Sequence, residues 1–359
     1  MSVLYIIIGI LMFGVLIAAH EAGHFSVSKL FHIRVNEFSV GMGPAIWHKQ
    51  KGETQYSLRL LPFGGFCAIE GEDGESDDPR AFPRKPIWQR VCVLAAGSAA
   101  NLLIGFLISL ILYLVFALSG GYVLPSARLA GFMEGFPLEG SDGLQVGDRI
   151  VSVDGWRVNS TRDFTLFMSV SDGETVDLVI RRDGERLKRE DFPLTLREFT
   201  DEAGNTVYKY GLYFEQKPLT VLSAFREAGS DCAYYARVVW VSLKYLVSGR
   251  AGVNDLSGPV GMVKAIGDAG AEAATVGEGL GNVFSLIAFI AVNLAVMNLL
   301  PIPALDGGHI FSMLVFWCIG KITKKQPSPK VENYIHVAGL ALLLLLMAYV
   351  MFNDVRKLF

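Results

Sequence analysis

Long apolar runs alternate along this chain with stretches in which apolar and polar residues change place one by one. Residues 3–19 (VLYIIIGILMFGVLIAA) hold no charged or strongly polar side chain, and the apolar character continues to about residue 30. Comparable runs cover 91–118, 283–300 and 333–352, the third interrupted at Pro301 and Pro303. Each approaches the ~20 residues that a helix needs to cross a hydrocarbon core, so four transmembrane helices are expected. The small residues Ala95 to Ala100 in the second suit close helix packing. A further apolar stretch, 310–319, is too short to span and is expected to begin a helix after the prolines.

Between the runs the period changes. Residues 34–40 and 54–60 alternate in strand fashion, separated by Gly41-Met42-Gly43-Pro44 and followed by Pro62-Phe63-Gly64-Gly65-Phe66, which predicts a small β-hairpin sheet. Residues 70–80 form an acidic, turn-rich surface loop. Residues 149–153 and 175–181 read as strands closed by Asp154-Gly155 and Asp183-Gly184 turns. Residues 219–249 predict a helix with an apolar stripe, but Arg226, Glu227, Asp231, Arg237 and Lys244 argue against a span. It is expected on the membrane surface or under the β-rich segment.

Composition agrees with a membrane protein: 52% of the 359 residues are hydrophobic and 19% charged. A net charge of −3 and the lack of a basic stripe exclude a nucleic-acid partner. Cys67, Cys92, Cys232 and Cys318 stand far apart, so neither a disulfide framework nor a cysteine metal site is expected. The first run lacks a basic leader and reads as a retained helix rather than a cleaved signal. Lys321, Lys324, Lys325 and Lys330 oppose only Glu332 in one loop, and 32–90 is rich in Lys and Arg. Both segments therefore read as cytoplasmic, and both termini and the 122–216 segment as extracytoplasmic. Arg356 and Lys357 weigh the other way.

The chemistry begins at His20-Glu21-Ala22-Gly23-His24, which continues straight out of the first apolar run. Positions i and i+4 share a helix face. His20 and His24 can thus bind one zinc ion, with Glu21 beside it as general base. Ionisable groups in lipid are expensive and functional by default. Catalytic zinc takes a third protein ligand. Asp306, in Asn298-Leu-Leu-Pro-Ile-Pro-Ala-Leu-Asp306-Gly-Gly308, is one candidate, since two prolines before it and two glycines after it loosen the helix. His309 is its rival, but the proline and glycine context is centred on Asp306 and favours the carboxylate.

Two resemblances carry this further. Gly143-Leu-Gln-Val-Gly-Asp-Arg-Ile-Val-Ser-Val-Asp-Gly155 resembles the signature of a bacterial PDZ domain, over roughly 122–216. That resemblance implies a peptide groove around Gly211, Leu212, Tyr213 and Phe214. H-E-x-G-H combined with N-x-x-P-x-P-x-L-D-G-G resembles the site-2 protease family of intramembrane zinc metalloproteases, in its bacterial regulator of sigma-E protease branch. Gly41-Met42-Gly43, Pro62-Phe63-Gly64-Gly65, Ala96-Gly-Ser98-Ala-Ala-Asn101 and Phe352-Asn-Asp354 also match. The chain departs in having room for one PDZ domain rather than two, and in Ser98 where a proline is usual.

The resemblance implies one Zn2+ per chain on His20, His24 and Asp306, with Glu21 as base and no small-molecule cofactor. It also implies substrate handling by Asn293, Asn298, Gly41, Gly43, Gly64 and Gly65. Implied partners are the lipid bilayer and single-span membrane proteins such as anti-sigma factors or remnant signal peptides, at a bacterial inner membrane. The expected architecture is a polytopic α-helical membrane protein with an inserted extracytoplasmic β-rich PDZ-like domain and a cytoplasmic β-hairpin region. Its expected segments are a transmembrane helix (1–31), hairpin loop (32–90), transmembrane helix (91–119), PDZ-like domain (122–216) and amphipathic helix with linker (219–282). A transmembrane region with the Leu-Asp-Gly motif (283–319), a cytoplasmic loop (320–332) and a last transmembrane helix (333–359) complete it. Two other readings are a membrane-anchored protease with a cytosolic catalytic domain, and a non-proteolytic PDZ scaffold or metal carrier.

Overall fold

A computed structural model describes residues 2–72, 74, 76–120, 122–171, 173–200, 206–252, 254, 256–324 and 329–357. Lys325, used in the orientation argument, lies outside the described residues, as do the side chains of Lys330 and Glu332. The chain divides into two compact units, 1–112 with 235–359, and 113–234.

In the first unit the apolar start forms α1 (Ser2–Leu30), with Lys29 in its last turn, where a cation favours the helix dipole. His32, at φ 56°, turns the chain out of the helix. β1 (Val35–Lys51) and β2 (Thr54–Ile69) follow, joined at Gly52. The sheet is larger than the expected hairpin. Residues 45–51 pair with 54–59, while 35–40 pair with 65–69 and also lie against 55–58. The change of partner occurs at Gly41, Gly43 and Gly64, whose φ of 84–91° few side chains tolerate. A 3-10 turn (Phe82–Arg84) leads into α2 (Ile87–Ser119). The acidic loop before it is more tethered than expected: Arg34 binds Asp78, and Arg80 binds Glu53.

The second unit contains β3 (Val123–Phe132), β4 (Arg149–Val153), β5 (Trp156–Arg157), α3 (Thr161–Val170), β6 (Val176–Arg182) and β7 (Glu185–Phe192). After these come β8 (Arg197–Thr200), β9 (Thr206–Lys209) and β10 (Leu212–Pro218). The main sheet runs β10-β3-β4-β6-β7, with β5 on β4. Asp154-Gly155 and Asp183-Gly184 all take positive φ, as tight hairpin turns require. Ser160 and Asp163 form a reciprocal capping box on α3. Leu129, Leu144, Ile150, Leu178, Ile180 and Phe167 fill the core, each almost fully buried.

α4 (Val221–Val247) runs from the second unit into the first, which is completed by α5 (Pro259–Ala271), α6 (Val276–Asn298), α7 (Asp306–Thr323) and α8 (Pro329–Arg356). The expected linker before residue 283 thus holds a helix and the start of another. Pro259 opens α5 and the Asp354 carboxylate of α8 accepts the Gly261 N–H at 2.8 Å, so the helix end is capped from far along the chain. Tyr5, Leu16, Ile266, Val283 and Ile287 form one buried cluster; Ile33, Val35, Ile69, Val93 and Met313 form another. Among the described residues four helices are long and apolar enough to cross a membrane: Val3–Leu30, Ile87–Ser119, Val276–Asn298 and Tyr334–Arg356. Their exposed leucines, such as Leu103, Leu342 and Leu345, are the surface that lipid covers.

Candidate metal centre

The site begins where α1 and α2 touch. Gly23 has no side chain where a Cβ would strike the Ala96 carbonyl, and a Cβ on Gly97 would run into the His20 and His24 rings. The helices therefore meet backbone to backbone, and the two imidazoles lie over Gly97. His24 Nδ1 donates to the Val93 carbonyl at 2.8 Å, so its Nε2 carries a lone pair. The Asn101 amide stands 3.5 Å from His20 Nδ1. The near atom is Nδ2, while Asn101 Oδ1 is buried without a partner; with the amide turned over, Oδ1 would accept an Nδ1 proton and leave His20 Nε2 bare too.

Asp306 comes from the other half of the chain. It is the first residue of α7, earlier than the start expected near 310. Its Oδ2 is buried with no hydrogen-bond partner, 3.2 Å from His20 Nε2 and 3.4 Å from His24 Nε2; those nitrogens are 3.1 Å apart. Three electron-rich atoms at such separations repel unless a cation lies among them. Tetrahedral zinc with bonds of about 2.0–2.1 Å sets its ligands about 3.3–3.4 Å apart, close to these edges. The three residues are the only such group among the described residues, and they fit zinc. Glu21 lies within electrostatic reach of all three, and the Cys67 backbone N–H hydrogen-bonds to it.

Residues 8–346 match the description "Peptidase family M50". The chain belongs to this family. As a member it is a metalloprotease, of the intramembrane site-2 type. It is 35% identical to a Clostridium acetobutylicum protein provisionally named a zinc metalloprotease, over 99% of this chain and 98% of that one. It is also 27% identical to the Bacillus subtilis regulator of sigma-W protease RasP, over 98% of each, and 27% identical to the zinc metalloprotease RasP of Geobacillus kaustophilus, over 98% and 97%.

The remaining candidates of this peptidase are distributed as follows. Gly65, in β2, faces α1: a Cβ there would meet the Ser39 carbonyl and lie 3.4 Å from Glu21 Cγ. Gly41, Gly43 and Gly64 shape the bends of the same sheet. Asn293 and Asn298 lie in the last two turns of α6, and no hydrogen bond joins either to the metal cluster among the described residues. Gly211, Leu212, Tyr213 and Phe214 belong to the second unit. Gly211, at φ 74°, accepts the Met133 N–H; Leu212–Phe214 start β10, with Phe214 against Phe164.

His309 lies outside the cluster and stacks on His336, with ring centroids 3.7 Å apart. Sequence reasoning missed His336. Its Nδ1 accepts the Ala304 N–H at 3.2 Å, and its Nε2 stands 3.1 Å from Ser312 Oγ. This buried imidazole on α8 thus holds the turn two residues before Asp306. A histidine in an apolar run was the available signal.

Proposed function

We propose that this chain hydrolyses peptide bonds within the membrane, on zinc held by His20, His24 and Asp306, in single-span membrane proteins. The observation that carries the reading is the triangle of bare ligand atoms, on a helix of membrane length, with Glu21 beside it. When bound, zinc would polarise the scissile carbonyl and acidify water. Glu21 is placed to accept a proton from the attacking water and return it to the leaving amine nitrogen. His24 and His20 are held by Val93 and Asn101, so neither ring must reorient.

A transmembrane substrate arrives helical and must be extended to be cut. Limb 65–69 of β2 offers a strand edge beside Glu21, and Gly65 leaves room where a side chain would stand. An unwound segment pairing there would lay its backbone along the site. Asn293 or Asn298 would hold that backbone or its developing oxyanion. In this reading both termini and the second unit, a PDZ-like domain with Gly211–Phe214 at its groove, face outward from a bacterial inner membrane. The relative named as a regulator of sigma-W protease supports anti-sigma factors as one substrate class; remnant signal peptides are another.

The test is purified full-length protein in detergent with a panel of single-span substrates. Cleavage should stop with a zinc chelator and return with added zinc; Glu21→Gln should retain zinc and cleave nothing. A protein that binds zinc but cuts no substrate would instead be a metal carrier or scaffold.

A further inference from the structure

The main sheet of the second unit carries four arginines in a single row. Arg128 of β3 pairs with Arg149 of β4, Arg149 with Arg181 of β6, and Arg181 with Arg186 of β7. All four are exposed, and Arg157 of β5 joins Arg149, Arg181 and Arg186 around one concavity of about 460 Å3 whose floor includes Val151 and Val179. Like charges directly opposite one another weaken a sheet. Here three successive cross-strand pairs do so.

Asp183 and Glu227 line a neighbouring concavity with Arg128, Arg149 and Arg181, but neither is paired with these arginines. Among the described residues none of these five arginines makes an ion pair with a carboxylate. The same protein shows what a paired cation looks like: on the same face Lys188 meets Glu190 and Asp177, and Arg182, the residue after Arg181 on β6, is locked on Asp148 at 2.8 Å. Residues 122–216 contain more Asp and Glu than Lys and Arg, so the row is a local concentration against the unit's overall sign.

We propose that this face binds an acidic peptide segment, its carboxylates on the arginine row and its apolar side chains on the Val151–Val179 floor. Guanidinium groups present a planar fork that takes a carboxylate with two hydrogen bonds. Strands about 4.8 Å apart make the row about 14 Å long, the span of roughly four extended residues. The concave, partly apolar floor suits a peptide better than a flat membrane. The unit's net acidity would also repel an extended anionic surface, whereas a short peptide senses charge within about 8 Å at physiological salt. The face is separate from Gly211–Phe214 and does not depend on the protease reading.

The test uses the full chain in detergent micelles and fluorescence anisotropy with a labelled Glu-Val-Glu-Val-Glu-Val-Glu peptide. Binding should weaken as salt rises, be absent for the Lys-Val counterpart, and fall at least tenfold in the double variant Arg149→Glu, Arg181→Glu. Lys209→Glu, exposed on β9 in the separate β8–β9 pair, should leave it within about twofold. No binding, or an equal loss with Lys209→Glu, would overturn the proposal. So would saturable binding of short-chain phosphatidylglycerol, lost in the double variant, by a protein that ignores the peptide.

Discussion

At Gly97 a single missing methyl group decides whether two histidines can converge. A Cβ there would collide with His24 Nε2 and the His20 ring, and the crossing cannot widen without moving α1 from α2. Gly97→Ala should therefore lower zinc affinity by at least the 10–100-fold typical of a lost supporting contact, at an overpacking cost of about 1–3 kcal/mol. Zinc content after dialysis, with a thermal melt to confirm folding, measures it. The wild-type zinc content would show that the helices can part. The pair His20–His24 was legible because i,i+4 spacing depends on one helix alone. Asp306 was legible, and preferred to His309, through the proline and glycine context centred on it. Both lie in one apolar neighbourhood, and only the start of α7 at residue 306 turns the carboxylate to the histidines. His336 showed only as a histidine in an apolar run, and its role was not legible, since its partner is a backbone N–H thirty-two residues away.

Elements hold the site by their ends and turns. The turn before α7 is seated on α8: Gly339 has no side chain where Pro303 lies, and His336 accepts from Ala304. His336→Phe keeps a ring to stack on His309 but leaves the half-buried Ala304 N–H without its acceptor, a cost of about 1 kcal/mol. Zinc affinity should fall 10–100-fold while the melting temperature moves only a few degrees; unchanged affinity would remove His336 as a positioning residue. The acidic loop gives a prediction in pH. Lys29 holds the Glu53 carboxyl below its ordinary value, the Arg80 backbone N–H and Arg34 do so for Asp78, and Ser76 and Asn36 for Glu70. A depressed carboxyl stabilises above the unfolded-state pKa of about 4 and loses that contribution as pH falls through the lower folded value. Hydrogen exchange at Arg80 and Phe82 should thus stay slow from pH 7 to about 5 and quicken only below about 4. The sheet that this loop follows was only half legible: strand alternation marks 34–40 and 54–60, but the change of partner at Gly41 and Gly64 breaks the period, hiding 45–51.

For the whole molecule, the four spans were legible from apolar length, but the contacts that close the second unit were not. The end of α2 and the start of α4 belong to it, and they are tied in by side chains from distant parts of the chain. Tyr113 donates to Asp231 at 2.9 Å, and Arg162 reaches both; burial pushes the Asp231 carboxyl up, against the pull of Arg162. The proposed PDZ-like domain cannot perform chemistry that lies on α1 and α7, which leaves capture of a peptide end or exclusion of substrates with bulky outer domains. Exclusion needs no particular peptide sequence and is the role favoured here. It can be tested cleanly because β10 pairs antiparallel with β3, Gln216 on Pro125 and Pro218 on Val123. The two ends of an excision of 126–214 are neighbours, and a few flexible residues can join them. The excision removes Arg162, so it is made together with Asp231→Asn, which leaves Tyr113 a partner and no unpaired buried charge. The shortened protein should cleave substrates with intact outer domains that the full chain rejects, and cut already shortened substrates at least as fast. If it kept its zinc but lost cleavage of the shortened substrates, the domain would be a capture device, because a filter can be removed without slowing what it already admits.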